Sequence, residues 1–221
     1  MKQGSISRVV WLASIAAMAV ATPGAMAAAQ PTPKSVEFTW ARETFEIDIP
    51  SGYCLPTSEQ QAVANRDAAG DSQNATLAHF TRCGSWGEDY ILVKSPRTLR
   101  ELDITRPAFT AAIAQTMAET DALERGKQTG AADVERSSKG QISVIGQDFG
   151  YAGYDDACAY LAGTLTVSDP EETRKVRVGS CMTLVGKRAF TVYSYDSKPD
   201  GANLDALKQR SKELALSLTK S

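Results

Sequence analysis

The sequence predicts an α+β domain, a curved antiparallel sheet with helices packed on both faces in an α/β/α sandwich. Three observations carry this. Asp156 to Asp196 reads as consecutive antiparallel strands joined by short turns. Those strands are apolar on both faces, whereas an antiparallel sheet open to water on one side alternates cleanly. Amphipathic helical stretches in the middle and at the end of the chain supply cover for two faces. A β-sandwich with peripheral helices is the alternative.

In chain order, residues 1–27 read as a secretory signal peptide. Lys2 and Arg8 precede the apolar run VVWLASIAAMAVA, and Ala25-Met26-Ala27 has the small-x-small cleavage pattern. That run is short of the roughly 20 residues a membrane-spanning helix needs, so the expectation is a periplasmic or secreted chain with no membrane attachment after cleavage. Residues 28–35, Pro- and Ala-rich, are a flexible lead-in, and 36–221 form one domain. Beyond the cut, 22 basic residues face 26 acidic ones, a net charge of −4, since Lys2 and Arg8 account for two of the chain's 24. A mildly acidic chain of this kind is no nucleic-acid binder.

Val36 to Trp40 alternates apolar and polar residues, and the pattern resumes at Phe45, Ile47 and Ile49, which predicts a hairpin stopped by Pro50-Ser51-Gly52. Thr57 or Ser58, each with a Gln three residues on, opens a capped helix running to about Ala69. Strands follow at Thr76 to Cys83 and Tyr90 to Val93. Thr105 to Arg125 is the clearest helix of the first half, with Phe109, Ile113, Met117 and Leu123 on one core-facing stripe. Gly126 is expected to end it, leaving Gln128 to Gly140 as loop. Strand structure resumes at Ile142. The last 20 residues form a helix whose Leu204, Leu207, Leu214 and Leu218 share a stripe with Ser211.

Cys54, Cys83, Cys158 and Cys181 are an even set in a chain expected to be exported, so two structural disulfides are predicted. Three connectivities are open, and nearness along the chain favours Cys54–Cys83 with Cys158–Cys181. The latter pair is centred between Asp169 and Pro170, in the turn-like run SDPEET, which would set the cysteines opposite each other and Tyr160 opposite Gly179. Gly186-Lys187 is a two-residue hairpin loop with Gly first, as a type II′ turn prefers, pairing Cys181 with Val192 and Met182 with Thr191. One face then carries Ala157, Ala159, Leu161, Leu165, Val178, Met182, Leu184 and Tyr193. The other carries Cys158, Tyr160, Cys181, Val185, Phe190 and Val192.

The opening hairpin, the strand ending Ile49-Pro50-Ser51-Gly52-Tyr53, the middle helix, the antiparallel meander and the final helix together resemble the PsbP/Mog1-like superfamily of α/β/α sandwich domains. That resemblance implies an accessory, assembly or binding module and no shared catalytic residue. The four cysteines depart from the general pattern of that superfamily.

Chemistry-bearing motifs are sparse. No P-loop, dinucleotide fingerprint or G-x-S-x-G elbow occurs, and with His79 as the one histidine no multi-histidine metal site can form, so neither cofactor nor metal is expected. Adjacent carboxylates at Glu88-Asp89, Asp155-Asp156 and Glu171-Glu172 read as solvated turn charges. Trp86, in a Gly-flanked turn, and Arg97 and Arg100, in a basic run with Lys94 and Arg106, are candidate contacts for a protein partner. The reading is a non-catalytic exported binding or accessory module for an unidentified protein partner or small ligand. The alternative is a small periplasmic hydrolase pairing a carboxylate with His79.

Overall fold

Two tight turns fix the registers around which this fold is built. A computed structural model of the chain describes residues 33–98, 101–118 and 120–221, so the signal peptide expected at 1–27, most of the lead-in at 28–35, and Arg100 lie outside the described residues. Ala41-Arg42 turns strand β1 (Ser35–Trp40) into β2 (Glu43–Asp48), and Gly186-Lys187 turns β8 (Thr173–Val185) into β9 (Arg188–Asp196). Both loops hold positive φ at both positions, 51° and 70° in the first and 55° and 65° in the second. That is type I′ geometry, not the type II′ turn expected from Gly186 alone, because the right-handed strand twist favours φ > 0 at Lys187 as well. The expected pairs Cys181↔Val192 and Met182↔Thr191 are present.

The main sheet has seven antiparallel strands in the order β3-β4-β5-β9-β8-β7-β6, adding β3 (Tyr53–Cys54), β4 (Asn74–Arg82), β5 (Asp89–Pro96), β6 (Ser143–Tyr154) and β7 (Ala159–Ser168). Across β7 and β8 the register runs Tyr160↔Cys181 and Ala162↔Gly179, two residues from the expected pairing. The cause lies in the connecting loop. Asp169 accepts from the backbone amides of Glu171 and Glu172 through its side chain, while its own amide donates to Glu172 O at 3.0 Å, so the bend centres later than the cysteine midpoint. Cys158, just before β7, therefore reaches Cys181 diagonally, and both predicted disulfides, Cys54–Cys83 and Cys158–Cys181, are formed. A shift of two preserves the alternation of faces, so the predicted division of side chains largely holds. Ala157 is the exception, packing with Cys158 and not with Ala159.

Helices do cover both faces. On one face α2 (Arg106–Ala118) and α3 (Thr120–Ser137) place Phe109 against Leu184 and Ala189, and Ile113, Met117 and Leu123 against Ala159, Leu161 and Met182. On the other, α4 (Leu204–Ser217) seats Leu214 and Ala215 in the larger core with Phe80, Ile91, Cys181, Phe190 and Val192. The helix shares this face with a small second sheet, β1-β2-β10, in which β10 (Thr219–Lys220) pairs with Glu46 and Phe45. The expectation of an unbroken C-terminal helix is corrected here. Leu218 is buried at an extended C-cap, and the chain leaves the helix to complete the small sheet.

The middle helix is corrected too. Gly126 does not end it, and residues expected to be loop continue as α3 to Ser137. Glycine in a helix interior costs about 1 kcal/mol relative to alanine, but the far end of α3 is pinned. Asp133 accepts from the amide and hydroxyl of Ser72, and Arg136 donates to Gly70 O, at the C-terminus of α1 (Ser58–Gly70). The capping box that begins α1 is the predicted one, with Thr57 and Gln60 bonded reciprocally.

Candidate functional site

At the chain's bend from β6 into β7, a run of small and polar residues builds a cleft against α4. Between Tyr151 and Tyr154 the β6–β7 ladder is irregular, with Gly153 at a φ of 94°, a bulge that turns Tyr154 outward to 55% exposure. Asp155 follows. Its Oδ1 accepts from the amides of Ala157 and Cys158 at 2.8 and 2.9 Å, tightening the turn ahead of the buried disulfide. Its Oδ2 accepts from Tyr160 Oη and from Lys212 Nζ of α4, both at 2.7 Å. The resulting cleft has a volume of 330 Å³ and is lined by Tyr154, Asp155, Tyr160, Lys208, Gln209 and Lys212, with Ala152 and Asp205 at its margins.

The electrostatics are those of a fixed ion pair. Burial pushes the Asp155 carboxyl up, but hydrogen bonds from Lys212, Tyr160 and two amides outweigh it and hold the group well below the usual carboxylate range. Burial and the bond to Asp155 raise the Tyr160 hydroxyl above the ordinary tyrosine range. Asp155 and Tyr160 thus hold each other, with Lys212, as a fixed hydrogen-bonded group at the centre of the cleft. Lys208, the neighbouring cation, is paired to Asp205 at 2.9 Å.

A second concavity of 250 Å³ lies on the other side of β6, against α3, lined by Glu124, Lys127, Gln128 and Val144 to Gln147. Gln147 Nε2 donates to Lys127 O there, and Ile145 stands 61% exposed.

Of the residues singled out in the sequence, Trp86, His79 and Arg97 lie elsewhere; Trp86 and His79 are neighbours, and Arg97 is at the end of α1. Trp86 is half-buried, its ring 5.2 Å from that of His79, which in turn lies 5.7 Å from Tyr90. Among the described residues His79 Nδ1 is buried without a hydrogen-bond partner, and burial lowers the imidazole pKa to about 4. Among the described residues no carboxylate hydrogen-bonds to it, so His79 is not arranged there as a triad base. Arg97 donates to Asp71 O at 3.2 Å and Ala68 O at 3.5 Å, capping the end of α1, while Lys94 pairs with Asp71 and Arg106 donates to Leu184 O. Lys94 and Arg97 thus bond at the end of α1, and Arg106 bonds to β8.

The carboxylate pairs need a correction. Glu171, Glu172, Glu88 and Asp156 are exposed, but Asp89 is buried, accepting from Tyr53 Oη, Arg82 and Arg210, with both guanidinium groups over the Tyr53 ring. Asp155 is bound in its own network. Burial of an unpaired carboxylate is costly, and Asp89 escapes that cost through Arg82 and through Tyr53 and Arg210, distant in sequence, while Asp155 stays partly exposed. Among the described residues no group of three His, Cys, Asp or Glu is placed to hold a metal ion, and no helix is long and apolar enough to cross a membrane. Lys208, Gln209 and Lys212 escaped sequence reasoning because on α4 they read as a solvated polar face, and Tyr154, at the end of β6, was passed over although an aromatic after Gly153 was the available signal.

No family model matches the chain, and no curated protein matches it. Among solved structures, it is similar to the solution structure of cyanobacterial PsbP (CyanoP) from Synechocystis sp. PCC 6803, with 11% sequence identity and a TM-score of 0.38, covering 90% of this chain and 99% of that one.

Proposed function

We propose that this chain is an exported binding or accessory module that meets its partner at the cleft between α4 and the β6–β7 bend, and that it performs no chemistry there. The observation that carries this reading is the saturation of Asp155. All its acceptor positions are taken by Ala157, Cys158, Tyr160 and Lys212, so the polar centre of the cleft presents fixed charges beside an exposed tyrosine. A half-exposed aromatic amid ordered polar groups is the composition of a contact surface. Two disulfides and no free cysteine support residence in an oxidising compartment, periplasmic or extracellular.

The test is capture from a periplasmic extract with immobilised wild-type protein and a Tyr154→Ser variant of unchanged stability. Reproducible recovery of a partner or ligand by the wild type, lost with the variant, is the expected result. Equal recovery by both would remove the cleft from the reading. Turnover of an ester, phosphate or cell-wall substrate that vanishes in His79→Ala would remove the reading itself.

A further inference from the structure

The two edges of the main sheet are finished differently. At one edge β3 is two residues long and stapled to the chain after β4 by Cys54–Cys83, a short and covalently held margin. At the other edge β6 runs for 12 residues, none of them buried. It contains no lysine, no arginine and no proline, and its one charged side chain is Asp148. Its ladder is with β7 alone, and among the described residues no other backbone group hydrogen-bonds to it. Open sheets ordinarily blunt such an edge with charge, proline or brevity. Here the blunting is limited to local irregularities near Ile145 and Tyr154.

The two clefts flank this same strand, one on the α4 face and one on the α3 face. Successive side chains of an extended segment point to opposite faces of a sheet. A strand laid along β6 would therefore reach the α3 cleft with a side chain near Val144–Gln147 and the α4 cleft with one near Ala152 and Tyr154, at the other end of the strand, while its main chain satisfied the open edge. Charge narrows the occupant further. Lys208, Lys212 and Lys127 are each held by a carboxylate, Asp205, Asp155 and Glu124, at 2.9, 2.7 and 2.8 Å. An acidic segment would find no unpaired lysine among these, would lose hydration in approaching them, and would meet the exposed carboxylate of Asp148 on β6 itself.

We propose that β6 receives an extended segment of a partner polypeptide, free of acidic side chains, as an added strand, with side chains near its two ends seated in the two clefts. This rests on the reading of the chain as a binding module and names the chemistry of what it binds.

The probe is a synthetic peptide with the sequence of Ala159–Ser168, capped at both ends. It is uncharged and already matches the pitch of β6 on that strand's inner side. Added at millimolar concentration to the isotope-labelled protein, it is expected to slow hydrogen exchange of the outward β6 amides about tenfold. Resonance shifts should be confined to β6 and the two clefts, and an Ile145→Lys, Tyr154→Lys variant should weaken binding about tenfold. A peptide N-methylated at alternate amides should give no protection. Unchanged β6 exchange overturns the proposal. If the shifts then map to the α4 cleft alone, the binding-module reading stands without strand addition; if there are none, capture with Tyr154→Ser judges that reading separately. Concentration-dependent protection of β6 without peptide would assign the edge to a second copy of the chain and also overturns the proposal.

Discussion

Ser211 Oγ of α4 lies 3.0 Å from Gly179 O of β8 and 2.8 Å from Ser194 Oγ of β9, which docks the helix on the backbone of the sheet without an intervening side chain. Gly179 makes that approach feasible. A methyl group there would come 2.6 Å from Lys208 N and 2.7 Å from Leu207 C, both backbone atoms that cannot step aside.

Gly179→Ala should therefore destabilise the fold by about 1–3 kcal/mol through overpacking. The urea midpoint would fall with the slope of the transition unchanged. A midpoint equal to that of the wild type would mean that α4 lies farther from the sheet than described.

Gly126 and Gly130 present the opposite case. A Cβ at either position would meet nothing within 4 Å, and both sit in the interior of α3. Replacing each by alanine should raise stability by about 0.5–1 kcal/mol, mainly by restricting the unfolded chain. Thermal unfolding of the double variant checks this, and a lower midpoint would contradict helical structure in this segment.

His79 links stability to pH. Its pKa is lowered by burial from 6.5 to about 4, so between those values the unfolded chain binds a proton that the folded one does not. Stability contributed by neutral His79 is complete above about pH 6.5 and is lost as the pH falls toward 4, amounting to roughly 2–3 kcal/mol. His79→Phe keeps a ring beside Trp86 and removes the titration. The difference in urea midpoint between pH 7 and pH 4.5 should shrink in the variant. The carboxylates of Asp71, Asp155 and Glu43, held below their ordinary values, act at lower pH and in both proteins alike.

The two disulfides should differ in resistance to reduction. Cys158 and Cys181 have no solvent exposure, whereas Cys83 is exposed at the sheet margin. Mild reductant under native conditions should open Cys54–Cys83 first, read by alkylation and mass spectrometry, with Cys158–Cys181 following only on unfolding. Equal rates for both bridges would contradict the burial of the second. Replacing Cys158 and Cys181 by alanine frees a loop with a sequence separation of 23, a loss of about 3 kcal/mol.

The elements legible in the sequence were those whose signals are local. Gly186-Lys187 fixed the β8–β9 register, alternating residues marked the first hairpin, and Thr57 with Gln60 marked the start of α1. Wherever the outcome depended on a distant contact, local reasoning fell short. Gly126 stops a helix by its own propensity, but Asp133 gripping Ser72 outweighs it. The side-chain bonds of Asp169 moved the β7–β8 bend by one residue and every pairing by two. The cleft was least legible of all, because Lys212 and Asp155 are far apart in sequence, and only the docking of α4 brings them to 2.7 Å.

The pairing of β10 with β2 bears on the order of assembly. Lys220 reaches Glu43 across a sequence separation of 177 residues, and Ser221 N donates to Thr44 O at 3.0 Å. The hairpin made first as the chain is synthesised thus cannot complete its small sheet until residues 219–221 arrive. Closing a loop of that length is slow in comparison with forming a hairpin. Until then Phe38 and Phe45 lack the α4 side of their core, and the growing chain stays pliant until its most distant segments meet.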